Sequence, residues 1–187
     1  MPLYFAYGAN MDVAAMARRC PGSKPVGVAR LPRHRFIITS DGYASVVRDP
    51  RATVHGVLWE ASLADIRTLD KFEEIDRGLY IKISQPVIAG AGPRRALIYV
   101  GSRSTEGRPR PGYLESVLTS ARAWALPEDY RAAMARHLGK PWVECQTGAD
   151  WTDSVAPAAM PKVQTRAEMP VSTVATVARA SDAWKRS

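Results

Sequence analysis

No apolar stretch in this chain approaches the roughly 20 residues that a membrane-spanning helix needs. The first residues lack the basic segment and apolar run of a secretory leader. Cysteine is scarce: Cys20 and Cys145 are far apart and without ligand-like spacing. That argues against a disulfide framework and a cysteine-type zinc site, and it points to a reducing, cytoplasmic setting. His34, His55 and His137 form no HxxxH-type pair, so each reads as structural or exposed rather than as a metal ligand. A GxSxG elbow, a GxGxxG turn and a Walker lysine are all missing, which removes the commonest serine-hydrolase and nucleotide signatures. No internal repeat is evident.

Acidic residues are outnumbered, 18 Asp and Glu against 26 Lys and Arg, for a net charge of +8. The excess is local. Arg18, Arg19, Lys24, Arg30, Arg33 and Arg35 face Asp12 alone in residues 1–40, and Arg94, Arg95, Arg103, Arg108 and Arg110 cluster around Glu106. A basic chain can hold nucleic acid. No aromatic-interleaved basic stripe and no helix-turn-helix or RRM pattern accompanies these arginines, however. The expectation is a solvated basic surface that favours anionic small molecules over nucleic acid.

The 187 residues allow one domain with a proper core and an appendage. Leu3 to Ala6 reads as a buried strand. A short helix follows to Arg19, with Asn10 or Asp12 as N-cap. Val26–Leu31, Arg35–Thr39, Tyr43–Val47 and Val54–Trp59 read as strands, punctuated by Asp41-Gly42 and Asp49-Pro50. Ser62 caps a helix over Leu63–Glu73, with Leu63, Ile66, Leu69 and Phe72 along one face. Strands resume at Leu79–Ile83 and Arg95–Val100, with a turn between them at Ala89–Pro93. A polar loop, Gly101–Gly112, leads to a helix over Tyr113–Trp124. Pro127 sits at N1 of a last helix that reaches Leu138. Many strands in succession with few helices between them favour an α+β domain around a closed or strongly bent sheet. The expected division is a domain over 1–142 and an arm or tail over 143–187. In that tail Val171–Val177 could pair with a second subunit to make a homodimer.

Three features could carry chemistry. Tyr7-Gly8-Ala9-Asn10 turns a strand into a helix, so its amides could cradle a carboxylate or oxyanion at the positive end of the helix; it could equally be a plain capped turn. Leu69-Asp70-Lys71-Phe72-Glu73-Glu74 places carboxylates at a helix C-terminus. A Glu held there against apolar groups would have a raised pKa, as suits a general base; the alternative is a solvated acidic helix end. Glu73 flanks the apolar stripe. Tyr80, Tyr99 and Tyr113 are either core aromatics or phenols lining a polar ligand.

Two of these features together carry a resemblance. Tyr4-Phe5-Ala6-Tyr7-Gly8-Ala9-Asn10-Met11 resembles the Y-F-A-Y-G-S-N-L opening of the γ-glutamylcyclotransferase-like (AIG2-like) family. Gly56-Val57-Leu58-Trp59, then Leu69-Asp70-Lys71-Phe72-Glu73-Glu74, then Gly78-Leu79-Tyr80 resemble its G-V-x-[WY] … L-D-x-x-E-G … Y segment in order and spacing. The resemblance runs over residues 3–138. It implies a small mixed β-barrel with flanking helices and a cavity at the first loop. It also implies conversion of a γ-glutamyl small molecule to 5-oxoproline and a free amine, with no metal or organic cofactor. The catalytic glutamate falls on Glu73, and the substrate-holding loop on Tyr4, Phe5, Ala6, Tyr7, Gly8, Ala9 and Asn10. The cavity tyrosines fall on Tyr80, Tyr99 and Tyr113. Two positions depart from the pattern: Ala9 stands where Ser is frequent, and Glu74 where Gly is usual. A non-catalytic member of the same fold, binding an anion or a partner in that pocket, is the second expectation.

Overall fold

A computed structural model of the chain describes residues 1–139. The expected arm over 143–187, its strand at Val171–Val177 and the dimer contact lie outside the described residues. The described chain runs β1 (Leu3–Ala6), α1 (Val13–Arg19), β2 (Lys24–Ile38), β3 (Ala44–Glu60), α2 (Leu63–Phe72), β4 (Tyr80–Ala89), β5 (Gly92–Gly101), α3 (Tyr113–Ala123) and α4 (Glu128–Ala135). The strands close into a barrel in the order β1-β3-β2-β4-β5. Neighbours are antiparallel except at the seam, where β1 meets β5 in parallel with Tyr4 opposite Leu97.

The long hairpin corrects the sequence reading. Val26–Leu31 and Arg35–Ile38 are parts of one strand, β2, and Ala44–Val47 and Val54–Trp59 are parts of β3, with Thr39 and Tyr43 just outside them. Two register shifts, between Pro25 and Gly27 and between Pro32 and His34, break the ladder without ending the strands. Arg33 takes a left-handed φ of 59° at the second shift. Asp49-Pro50 lies in β3 between Arg48, opposite His34, and Thr53, opposite Pro32. Proline has no N–H to give a ladder, and here it occupies the irregular stretch where none is required. Asp41-Gly42 is a turn as expected, with Gly42 at φ 85°.

Trp59, Phe5, Leu31, Leu58 and Ile98 are fully buried in the core, and Leu114 and Val117 bring α3 onto it. Gly56 is imposed by packing: a Cβ there would strike the Ala6 carbonyl oxygen and lie 2.9 Å from the Phe5 ring. Leu63 departs from its expected place on the buried face. It lies in the first turn of α2 and is 68% exposed, while Ile66 and Leu69 carry the contact. Pro127 is the N-cap of α4 rather than its first helical residue.

Candidate active site

Helix α2 sets the position of Glu73. The Ser62 hydroxyl accepts from the Asp65 N–H, and the Asp65 carboxylate accepts from the Ser62 N–H, both at 3.0 Å. This reciprocal cap fixes the helix start, and burial of Ile66 and Leu69 fixes its face. Glu73 is the C-cap, its N–H donating to the Leu69 carbonyl at 2.8 Å. The chain then breaks away through Glu74 in a left-handed conformation, φ 50°. That backbone accounts for the glycine usual at this place, because only glycine adopts it without steric cost. The Glu74 carboxylate pairs with Arg77 at 2.9 Å.

Glu73 is half-buried. Asn10 Nδ2 donates to Glu73 Oε1 and to Tyr4 Oη, both at 2.9 Å. Arg19, at the end of α1, donates through Nη1 to Asn10 Oδ1 and lies 3.5 Å from the centroid of the Phe72 ring. Burial raises the Glu73 carboxyl from its usual 4.5 to about 7, against the opposing pull of the Arg19 charge and the Asn10 hydrogen bond.

Tyrosines from four elements surround this carboxyl. Burial holds Tyr4, Tyr7, Tyr80, Tyr99 and Tyr113 above the ordinary phenol range, and the Glu73 charge acts on all five in the same direction. They are therefore neutral donors and acceptors. Tyr7 Oη donates to the Tyr99 carbonyl at 2.5 Å, across the seam. Tyr99 stands edge-on to Tyr4, centroids 5.6 Å apart, and its hydroxyl donates to Asp70 at 2.7 Å. Lys82 holds the same carboxylate at 2.7 Å. Tyr80 donates to the Ala44 carbonyl at 2.9 Å, and the Tyr113 hydroxyl accepts from the Ala44 N–H at 3.2 Å.

The corner differs from a direct strand-to-helix turn. A 3-10 turn, Ala9–Met11, comes between, and α1 begins later with Asp12 as its cap, accepting from the Ala15 N–H. The Met11 and Asp12 amides are taken by the Gly8 and Ala9 carbonyls at 3.0 and 3.2 Å. Gly8 has a negative φ of −123°, so its role is spatial: a Cβ would sit 3.1 Å from the Tyr113 hydroxyl and 3.3 Å from the Ala44 Cβ. Trp124 Nε1 anchors the turn by donating to the Met11 carbonyl at 2.8 Å.

The structure thus brings Tyr4, Tyr7, Gly8, Ala9, Asn10, Tyr80, Tyr99 and Tyr113 around Glu73. Phe5 is different: its ring is fully buried in the core. Ala6 is also buried, and its carbonyl oxygen packs closely on Gly56. Three participants were not foreseen. Arg19 and the Ala44 backbone come together with the site only through tertiary packing, and Asp70 was visible merely as one of several helix-end acids. Among the described residues, no three of His, Cys, Asp and Glu gather where they could hold a metal ion.

The pattern of the AIG2-like family matches residues 53–134, a span that holds Glu73, Tyr80, Tyr99 and Tyr113. Over that span the chain is similar to the AIG2-like family. Human gamma-glutamylcyclotransferase is 26% identical over 140 residues, covering 69% of this chain and 74% of the relative. The bovine protein of the same name is 28% identical over the same coverage. A solved gamma-glutamyl cyclotransferase structure superimposes with a TM-score of 0.66 at 23% identity, over 83% of this chain and 93% of the other, which establishes the shared fold. Among the described residues no helix is long and apolar enough to cross a membrane.

Proposed function

We infer that this chain is a γ-glutamylcyclotransferase that releases 5-oxoproline from a γ-glutamyl small molecule. One observation carries the reading. A half-buried carboxyl, Glu73, is held near pKa 7 beside the Gly8–Asn10 corner and among neutral tyrosines. A group poised near neutrality can both take and return a proton at working pH. The named relatives support the same reaction class.

The substrate's own α-amine attacks its γ-carbonyl. A C–N bond forms to close the five-membered ring, and the original γ-amide C–N bond breaks. Glu73 removes the proton that the attacking nitrogen must lose and delivers it to the departing nitrogen, so no proton is gained or lost overall. The attack is intramolecular, so positioning supplies much of the acceleration; well-oriented cases reach effective molarities of about 10⁵–10⁸ M. The amides of Gly8 and Asn10, not otherwise used by the 3-10 turn, receive the substrate carboxylate or the developing oxyanion, while the Ala9 amide faces the Tyr113 hydroxyl. Ala9 lacks the hydroxyl frequent at its position but keeps the backbone donor. All these groups lie within residues 4–113, inside the 1–142 domain.

The test is 5-oxoproline release across a panel of γ-glutamyl amino acids, peptides and amines. Glu73→Gln is expected to lower kcat by about 10²–10⁴-fold, the usual contribution of a positioned acid–base group, while ligand binding and fold persist. Full activity in that variant removes the assignment.

A further inference from the structure

Arg19 is half-buried at the end of α1, and among the described residues no carboxylate forms an ion pair with it. Its guanidinium is instead stacked 3.5 Å from the Phe72 ring centroid and donates to Asn10 Oδ1. A guanidinium has five donors and no acceptor, so it dictates which end of the Asn10 amide faces it. The oxygen turns to Arg19. The NH2 group is left with Tyr4 Oη and Glu73 Oε1, 2.9 Å from each, and both of its hydrogens are spent. A reversed amide would set its oxygen against the Glu73 carboxylate and its NH2 against the guanidinium, two repulsive contacts at once.

We propose that Arg19 is a positioning residue for Glu73: it locks the Asn10 amide, which pins Oε1 and leaves Oε2 as the oxygen that exchanges a proton with substrate. Among the described residues Oε2 receives no hydrogen bond. Stacking on Phe72, the residue next to Glu73, ties the lock to the end of α2 itself. This proposal rests on Glu73 being the base. The other titratable groups facing Glu73 are Tyr4 from β1, Tyr7 just after it, Tyr80 from β4, Tyr99 from β5 and Tyr113 from α3, all neutral phenols. Arg19 is the charge acting on the carboxyl.

The experiment is a double-mutant cycle read by ¹³C NMR titration of the Glu73 side-chain carboxyl, its resonance assigned by loss in Glu73→Gln. The variants are Arg19→Met, which keeps an apolar stack on Phe72, Arg19→Lys, which keeps the charge, Asn10→Ala, and Arg19→Met with Asn10→Ala. Arg19→Met is expected to raise the Glu73 midpoint by about one pH unit, which leaves about fivefold less carboxylate at pH 7. The rising limb of the kcat/KM–pH profile moves by the same amount. In the Asn10→Ala background the same change is expected to shift the midpoint by clearly less, because the part carried through the Asn10 amide is gone and only the direct pull of the Arg19 charge is lost. Arg19→Lys is expected to restore only part of the wild-type titration, since an ammonium lacks the planar fork and the stack. An equal shift with and without Asn10, full restoration by Lys, or no shift at all overturns the proposal. Arg19→Lys also serves if Arg19→Met does not fold. The titration needs no turnover, so it is separable from the activity of Glu73→Gln, which judges the underlying reading.

Discussion

Glu73 has a folded-state cost that runs opposite to that of most acidic residues. Its carboxyl lies at about 7 in the folded chain against an ordinary 4.5, so the native state binds the proton more tightly than the unfolded state does. Stability from this group is complete below pH 4.5, falls as pH rises, and is gone above 7. Glu73→Gln keeps an acceptor for Asn10 and has no charge to bury. The variant is therefore expected to match the parent in urea unfolding at pH 4 and to exceed it at pH 8. After allowance for the exposed part of the side chain, the gain is on the order of 1–2 kcal/mol. A variant that loses activity yet gains stability at alkaline pH separates function from folding at a single atom. Glu73 itself was legible from its place beside Phe72 in Leu69–Glu74 and from the family pattern. Arg19 was not: a basic residue in the last turn of a short helix is ordinary in sequence, and only the approach of α1 to α2 lays it over Phe72.

The end of α2 shows what can be read at the scale of an element and what cannot. Ser62 and Asp65 announce the helix start in sequence, because the cap is a local arrangement of four residues. The break after Glu73 is set by backbone geometry that the residue type hides, since Glu74 occupies a left-handed position at φ 50°. Left-handed backbone costs a residue with a Cβ roughly 1–2 kcal/mol relative to glycine, and the exposed Arg77 pair offsets little of it. Glu74→Gly is expected to stabilise the chain by about 0.5–1 kcal/mol in chemical denaturation, with 5-oxoproline release unchanged. The same contrast explains the strands. The runs located the segments of β2 and β3, but the ladder continues past the register shift at Arg33 and so joins what Asp49-Pro50 divides in sequence, because the pairing that bridges them is non-local.

At the scale of the molecule, closure of the barrel carries both fold and site. Gly56 lies where β3 crosses β1, and a methyl group there meets backbone, which cannot give way as a side-chain end can. Gly56→Ala is expected to cost about 3 kcal/mol or more, seen as a lower denaturation midpoint or loss of soluble protein, with activity falling in step. The closed sheet was legible as a class from the succession of strands. The strand order was not, because the parallel contact of β1 with β5 joins parts of the chain that no local pattern connects.

That parallel seam also sets when the candidate site can form. Tyr4 finds Leu97, and Tyr7 finds the Tyr99 carbonyl, across more than half of the described sequence. Synthesis proceeds from the N-terminus, so the first strand waits for the fifth, and the wall around Glu73 is complete only when Tyr113 has followed. A growing chain carries the proposed base, Glu73, before the wall that would enclose it exists. On the proposed reaction, competence therefore waits for the seam to close rather than for Glu73 to be made.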